Sequence, residues 1–95
     1  MSAYVILDIT VNDPGLFEEY KKRAPATIAA YGGKYLARGG ESQVLEGDWT
    51  PNRIVILEFD SAEMAKNWLD SPEYREARSM RQRAADSQTI VVQGV

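Results

Sequence analysis

Neither cysteine nor histidine occurs anywhere in the sequence. The lack of cysteine removes disulfides, thiolate metal sites and a cysteine nucleophile. The lack of histidine removes imidazole ligands for haem, zinc or non-haem iron, together with any Ser/His or Cys/His catalytic pair. Proton transfer would have to use carboxylates, tyrosine, lysine or bound water. No stretch approaches the ~18 apolar residues of a membrane span. The start, MSAYVILDITV, has no basic leader and no small-residue cleavage site, so it reads as a strand and not as a signal peptide, and the cytoplasm is the expected location. Excess basic charge is also missing. A formal net charge of -3 and a pI near 4.9 speak against a phosphate backbone as partner. There is no GxGxxG and no GxxxxGK before a helix, so Gly32, Gly33, Gly39 and Gly40 read as turn and bulge residues. No cofactor, nucleic acid or membrane partner is expected.

What is present is 95 residues, 44% apolar and 26% charged, without repeat, low-complexity tract or linker. This composition suits one globular domain over residues 1–95, able to bury roughly 60 to 70% of its unfolded surface. AYVILDITV, residues 3–11, is a strand bounded by NDPG. Asp13 before Pro14 is an N-cap followed by proline at the first helical position. Leu16, Phe17, Tyr20, Ala24, Ile28 and Tyr31 then recur at helical spacing, with a kink expected at Pro25 and an end at Gly32-Gly33. KYLARG, residues 34–39, and QVLE, residues 43–46, read as a strand pair or one strand broken at Gly39-Gly40. RIVILEF, residues 53–59, is the clearest strand. Asp60 begins a second helix with Glu63 in a capping-box position, Ser71-Pro72 restart it, and TIVVQGV, residues 89–95, is the last strand. The order βαββαβ predicts an α+β, ferredoxin-like plan, a four-stranded antiparallel sheet with helices on one face.

A lone domain of that kind leaves its second sheet face in water, and that face should be mostly polar. In RIVILEF, however, Ile54, Ile56 and Glu58 share one side while Val55, Leu57 and Phe59 share the other. Two apolar faces on central strands call for a second covering layer, and a second copy of the chain is the simplest source. A homodimer with facing sheets is therefore expected. RNA-recognition domains share the βαββαβ order but place aromatics on the first and third strands, where this chain has mainly aliphatics.

Polar residues inside these strands are the candidates for chemistry. Asp8 lies on the face of Tyr4 and Ile6, and Glu58 on the face of Ile54 and Ile56. Adjacent first and third strands would point both carboxylates into one sheet-to-sheet interior, with Arg38 able to join them. They form either a structural ion-pair network or an acid/base pair in a polar cavity. SPEYREARSMRQR, residues 71–83, holds four arginines. At about 100° per residue, Arg78 and Arg81 share a sector with Tyr74, Ala77 and Ala84, whereas Arg75 and Arg83 fall elsewhere and read as solvated charge. Arg78 and Arg81 either clamp acids to hold the helix or the dimer, or line a pocket mouth and hold an anionic or carbonyl-bearing molecule. Ser71 reads as a helix cap, Trp68 as core, and Trp49 beside Pro51 as a loop anchor or interface residue that is also a ligand-binding candidate.

YGGKYLARGGESQVLEGDWTPNRIVILEF followed by SAEMAKNWLDSPEYREARSMR resembles a small bacterial family, domain of unknown function thirteen-thirty, of the dimeric α+β-barrel superfamily. The joint spacing of YGG, RGG, LEGDW, EF and SPEY carries the resemblance over nearly the whole chain. It implies a ferredoxin-like protomer and a homodimer with facing sheets, and it implies no reaction, because the family has no established one. The wider superfamily includes cofactor-independent monooxygenases, muconolactone-type isomerases and haem-handling enzymes; the branch that needs a proximal histidine is excluded by composition. Arg38, Glu46, Trp49, Glu58, Tyr74 and Arg81 fall on positions that look like the family's motif. The tyrosine expected just before DSPEY is Leu69 here.

The resulting expectation is a small-molecule-binding homodimer, in its enzymatic form a cofactor-independent monooxygenase or isomerase acting on a carbonyl or phenolic compound. Glu58 or Asp8 would be the base, Tyr74 a proton shuttle, and Arg38, Arg78 or Arg81 the stabiliser of an enolate or phenolate, with Trp49 also placed to bind. The alternative is a non-catalytic dimeric binding or interaction protein in which the same polar residues are structural.

Overall fold

A computed structural model describes all residues, 1–95. Strand β1 (Ala3–Val11) leads into helix α1 (Pro14–Ala30), then come β2 (Lys34–Arg38), β3 (Arg53–Phe59), α2 (Ala62–Leu69), α3 (Pro72–Ala84) and β4 (Ala85–Gln93). The strands form one antiparallel sheet in the order β2-β3-β1-β4. This is the ferredoxin-like arrangement, with the second helical region in two pieces. No helix is long and apolar enough to cross a membrane.

Alternation along the strands decides which side each residue covers. Val5, Leu7, Ile9, Val55, Leu57 and Phe59 are buried beneath the helices. They meet Phe17, Tyr20, Ala24 and Ile28 of α1 and Trp68, Tyr74, Ala77 and Ala84 of α2 and α3 in a single core. Tyr4, Ile6, Ile54 and Ile56 occupy the opposite face and are only half-buried, and Ile90 and Val92 extend that apolar face onto β4 at 59% and 46% exposure. An uncovered sheet face of this composition is unusual for a chain that works alone.

The helix ends follow local chemistry. Asp13 accepts from the Leu16 amide, and Ser71 accepts from the Tyr74 amide while donating to the Trp68 carbonyl. The α2 cap falls on Ser61, one residue after Asp60, because the Ser61 hydroxyl accepts from the Met64 amide. Helix α1 runs from Pro14 to Ala30 with Pro25 inside it. Proline has no N–H for the carbonyl four residues back, so the Lys21 carbonyl loses its helical donor. Arg38 supplies one instead, Nη2 to O at 3.3 Å.

Two strand boundaries differ from the sequence reading. QVLE forms no strand: residues 39–52 are irregular, and Val44 and Leu45 are 50% and 88% exposed. With no buried face to reward pairing, β-propensity alone does not make a strand there. Strand β4 begins at Ala85 and not at Thr89, because ADSQ pairs with Val11 to Asp8 of β1 directly after α3. Those four residues have little β-propensity, and tertiary pairing overrides it.

Candidate functional site

A cleft lies between α1 and the β2–β3 half of the sheet. Its lining is mostly apolar, including Phe17, Tyr20, Tyr35, Val55, Leu57 and Trp68, and its charged residues are all cationic: Lys21, Arg38 and Arg53. No carboxylate faces it. The enclosed volume is about 20 Å³, room for about one water molecule. Helix α1 packs chiefly on α3 and touches the sheet through side chains, so widening the cleft needs side-chain movement and no rupture of backbone pairing.

A break in strand register builds the mouth. Lys34 lies opposite Glu58 and Tyr35 opposite Leu57, but a bulge between Tyr35 and Ala37 brings Arg38 opposite Val55. Strict alternation would have put Arg38 opposite Ile54, on the outer face that Glu58 shares; the bulge moves it to the helix side. There its guanidinium lies 4.7 Å above the Tyr35 ring and reaches the carbonyl freed by Pro25. Arg53 lies 5.5 Å from the Phe17 ring centre, and its Nε is buried without a hydrogen-bond partner. Gly39, at φ +69°, makes room for it: a Cβ at that position would run into the Arg53 guanidinium. Lys21 is paired with Glu18 at 2.8 Å, whereas neither Arg38 nor Arg53 has a carboxylate within ion-pair distance.

Behind the cleft a hydrogen-bonded chain crosses the helical layer. The hydroxyls of Tyr20 and Tyr74 are 2.8 Å apart, and Arg81 Nε donates to the Tyr74 oxygen at 3.3 Å. Tyr74 is fully buried, its ring stacked on Trp68 at 4.2 Å, and Arg81 is only 5% exposed. Burial, reinforced by the neighbouring Tyr74, pushes the Tyr20 hydroxyl far above the usual phenol range. Burial also raises Tyr35, with Arg38 pulling in the opposite direction. Both phenols are thus held neutral. With Arg81 donating to Tyr74, the Tyr74 proton is free for Tyr20, and the Tyr20 proton is then free to point into the cleft.

The remaining candidates lie elsewhere. Asp8 and Glu58 share the outer sheet face, but Glu58 pairs across strands with Tyr4, four residues along β1 from Asp8. At ~3.4 Å rise per residue they sit on the order of 14 Å apart. Glu58 contacts Lys34 at 3.2 Å, and that hydrogen bond holds its carboxyl below the usual range. Asp8 accepts from Trp49 Nε1 at 3.1 Å and from the Asn52 amide at 3.0 Å, pinning the 39–52 loop across the outer face. Arg78 Nη1 is engaged by the Leu69 carbonyl and Asp70. Arg75 and Arg83 are exposed. The structure therefore brings Tyr74 and Arg81 together and places Arg38 at the cleft, while Asp8 and Trp49 meet on the outer sheet face and Glu58 and Arg78 each stand apart. Tyr20, Tyr35 and Arg53 are additions; helical spacing marked Tyr20 only as part of the apolar stripe of α1, and no local pattern singled out Tyr35 or Arg53. No group of three or more acidic side chains converges to hold a metal ion.

Residues 2–95 match the model of the family described as Domain of unknown function (DUF1330), and the chain belongs to that family. Among solved structures it is similar to a protein of unknown function from Rhodopseudomonas palustris, 21% identical over 99% of this chain and 82% of that one, with a TM-score of 0.78. It is also similar to SnoaB, a cofactor-independent oxygenase from Streptomyces nogalater, 16% identical over 99% of this chain and 93% of that one, TM-score 0.68. A third similar structure is a dimeric ferredoxin-like protein of unknown function from Thermobifida fusca, 15% identical over 97% of this chain and 90% of that one, TM-score 0.65. At these identities the likeness is one of fold. No functionally curated protein matches the chain.

Proposed function

We propose that the protein is a homodimer, its outer sheet faces packed together, and that each subunit binds a small molecule with an apolar body and an anionic oxygen in the α1–sheet cleft. The observation that carries the reading is the charge of the cleft: two arginines without acidic partners at the mouth of an apolar slot that contains no carboxylate. A phenolate or enolate oxygen would accept from Arg38 or Arg53, and Tyr20, backed by Tyr74 and Arg81, would offer a neutral donor from below. Asp8 and Glu58 lie on the other side of the sheet and serve no ligand in the cleft. Two cations lower the pKa of a bound phenol or enol, so its ionised form accumulates without a protein base. An electron-rich phenolate or enolate is the species that dioxygen can attack without a cofactor, and the fold shared with SnoaB supports that reaction class. The half-buried apolar face and the dimeric Thermobifida fusca protein of the same fold support the homodimer.

Binding of 1-naphthol and 1-naphthoate, followed by their fluorescence, tests the cleft. The expected result is saturable binding that weakens about tenfold or more in Arg38→Ala, as a lost charged hydrogen bond predicts. Binding unaffected by either Arg38→Ala or Arg53→Ala would sink the assignment. Binding without oxygen consumption by any phenolic ligand would favour the non-catalytic alternative, for which the narrowness of the cleft speaks. Ile56→Asp, on the outer face, should give a folded monomer by light scattering; a wild-type monomer at micromolar concentration would refute the dimer.

A further inference from the structure

On the side of Tyr74 away from the cleft, Arg81 opens onto a second space. A recess of about 370 Å³ lies between the end of α2, the last turn of α3 and the start of β4, with Arg78, Arg81, Asp86, Ser87 and Thr89 in its walls. Three features of these walls go unexplained by the fold. Arg81, 5% exposed, carries its charge into the protein with no carboxylate within ion-pair distance. Buried charges are ordinarily paired or hydrogen-bonded to a ligand, because desolvation penalises them heavily. Only its Nε is engaged, by Tyr74, so Nη1 and Nη2 remain to serve the recess. The other two features are Arg78 Nε and Ser87 Oγ, both buried without a hydrogen-bond partner. Unpartnered buried polar atoms are rare, and here two belong to residues that line one recess.

We propose that this recess is a binding site for a small oxyanion, a carboxylate- or phosphate-bearing metabolite, held by the planar fork of Arg81 with support from Arg78 and Ser87. Guanidinium groups bind such oxyanions through paired N–H donors. The one carboxylate in the wall, Asp86, receives a hydrogen bond from Asn12 Nδ2 at 3.2 Å, and Arg78 is ion-paired with Asp70 at 3.0 Å, so Arg81 is the cation of the recess without a carboxylate partner. Register supports the assignment of Ser87: it lies opposite Ile9, on the helix side of β4, and so faces α3. The proposal stands apart from the cleft, since none of these residues lines it.

The test is a titration of nitrogen-15-labelled full-length protein with malonate and, separately, with inorganic phosphate, at ionic strength held constant with chloride. Saturable shifts are expected at the Arg81 and Arg78 Nε–H signals and the Ser87 amide, with Arg53 Nε–H unmoved. The anion that saturates at the lower concentration identifies the ligand class. Arg81→Gln should weaken binding about tenfold or more, and Ser87→Ala about threefold, on the scale of one lost charged or neutral hydrogen bond. Because Arg81 is buried and its variant risks the fold, Ser87→Ala and Arg78→Gln provide independent readings on protein whose backbone spectrum is otherwise preserved. Shifts that never saturate, shifts confined to Arg38 and Arg53, or affinities unchanged in Ser87→Ala and Arg78→Gln would each overturn the proposal.

Discussion

Replacing Tyr74 by phenylalanine removes one oxygen from the centre of the buried chain and leaves the stacked ring in place. That oxygen serves two partners, the Tyr20 hydroxyl at 2.8 Å and Arg81 Nε at 3.3 Å. Volume is almost unchanged, so the contact with Trp68 should survive and the cost should come from stranded polar groups. Each buried group left unpaired costs about 1–3 kcal/mol, and with two stranded the expected loss is about 2–6 kcal/mol. In a chain of this size that corresponds to a fall in Tm of on the order of 10 °C or more. Tyr20→Phe strands less, because Tyr74 still meets Arg81, and should cost about 1 kcal/mol. The double variant has no Tyr20 hydroxyl left to strand and should fall short of the sum of the single losses by about 1 kcal/mol. Urea unfolding at one fixed protomer concentration measures all four proteins without confusing folding with association. Additive losses, or a Tyr74→Phe protein within 0.5 kcal/mol of wild type, would refute the idea that this chain is a coupled unit.

High pH should bear on the same residues. Tyr20 is held well above the ordinary phenol range, so above pH ~10 the unfolded chain releases a proton that the folded protein keeps. Stability from this group is therefore complete below that pH and lost as pH rises, at about 1.4 kcal/mol per pH unit, and Tyr20→Phe should flatten the dependence in chemical denaturation. Gly33→Ala should be destabilising by about 1–3 kcal/mol through overpacking, since a Cβ there would lie 2.6 Å from Phe59 Cε1 and 2.8 Å from Ile28 Cγ2. A neutral result by thermal unfolding would mean that the α1–β2 turn yields more readily than its packing suggests.

The sequence by itself determined the element order, the caps at Asp13 and Ser71, the buried stripe of α1 and the two apolar faces of the central strands. All of these depend on residues within a few positions of one another, where side-chain period and turn chemistry act directly. It also isolated Arg78 and Arg81 from Arg75 and Arg83, because helical spacing is a local rule. Which of that pair is buried was a different question, and tertiary packing answered it: Arg81 sits under Tyr74, and Arg78 lies across the end of α2. Tertiary structure likewise decided the side on which Arg38 emerges, since a bulge is selected by pairing with β3. It alone brought Tyr20 to Tyr74, 54 residues away, and Arg53 over Gly39. It also moved the start of β4 into ADSQ, whose strand form exists only because β1 is there to pair with it. Alternation could place Asp8 and Glu58 on one face but could not say how far apart they lie, because separation along that face follows from strand register, which pairs Glu58 with Tyr4 and Asp8 with Ile54.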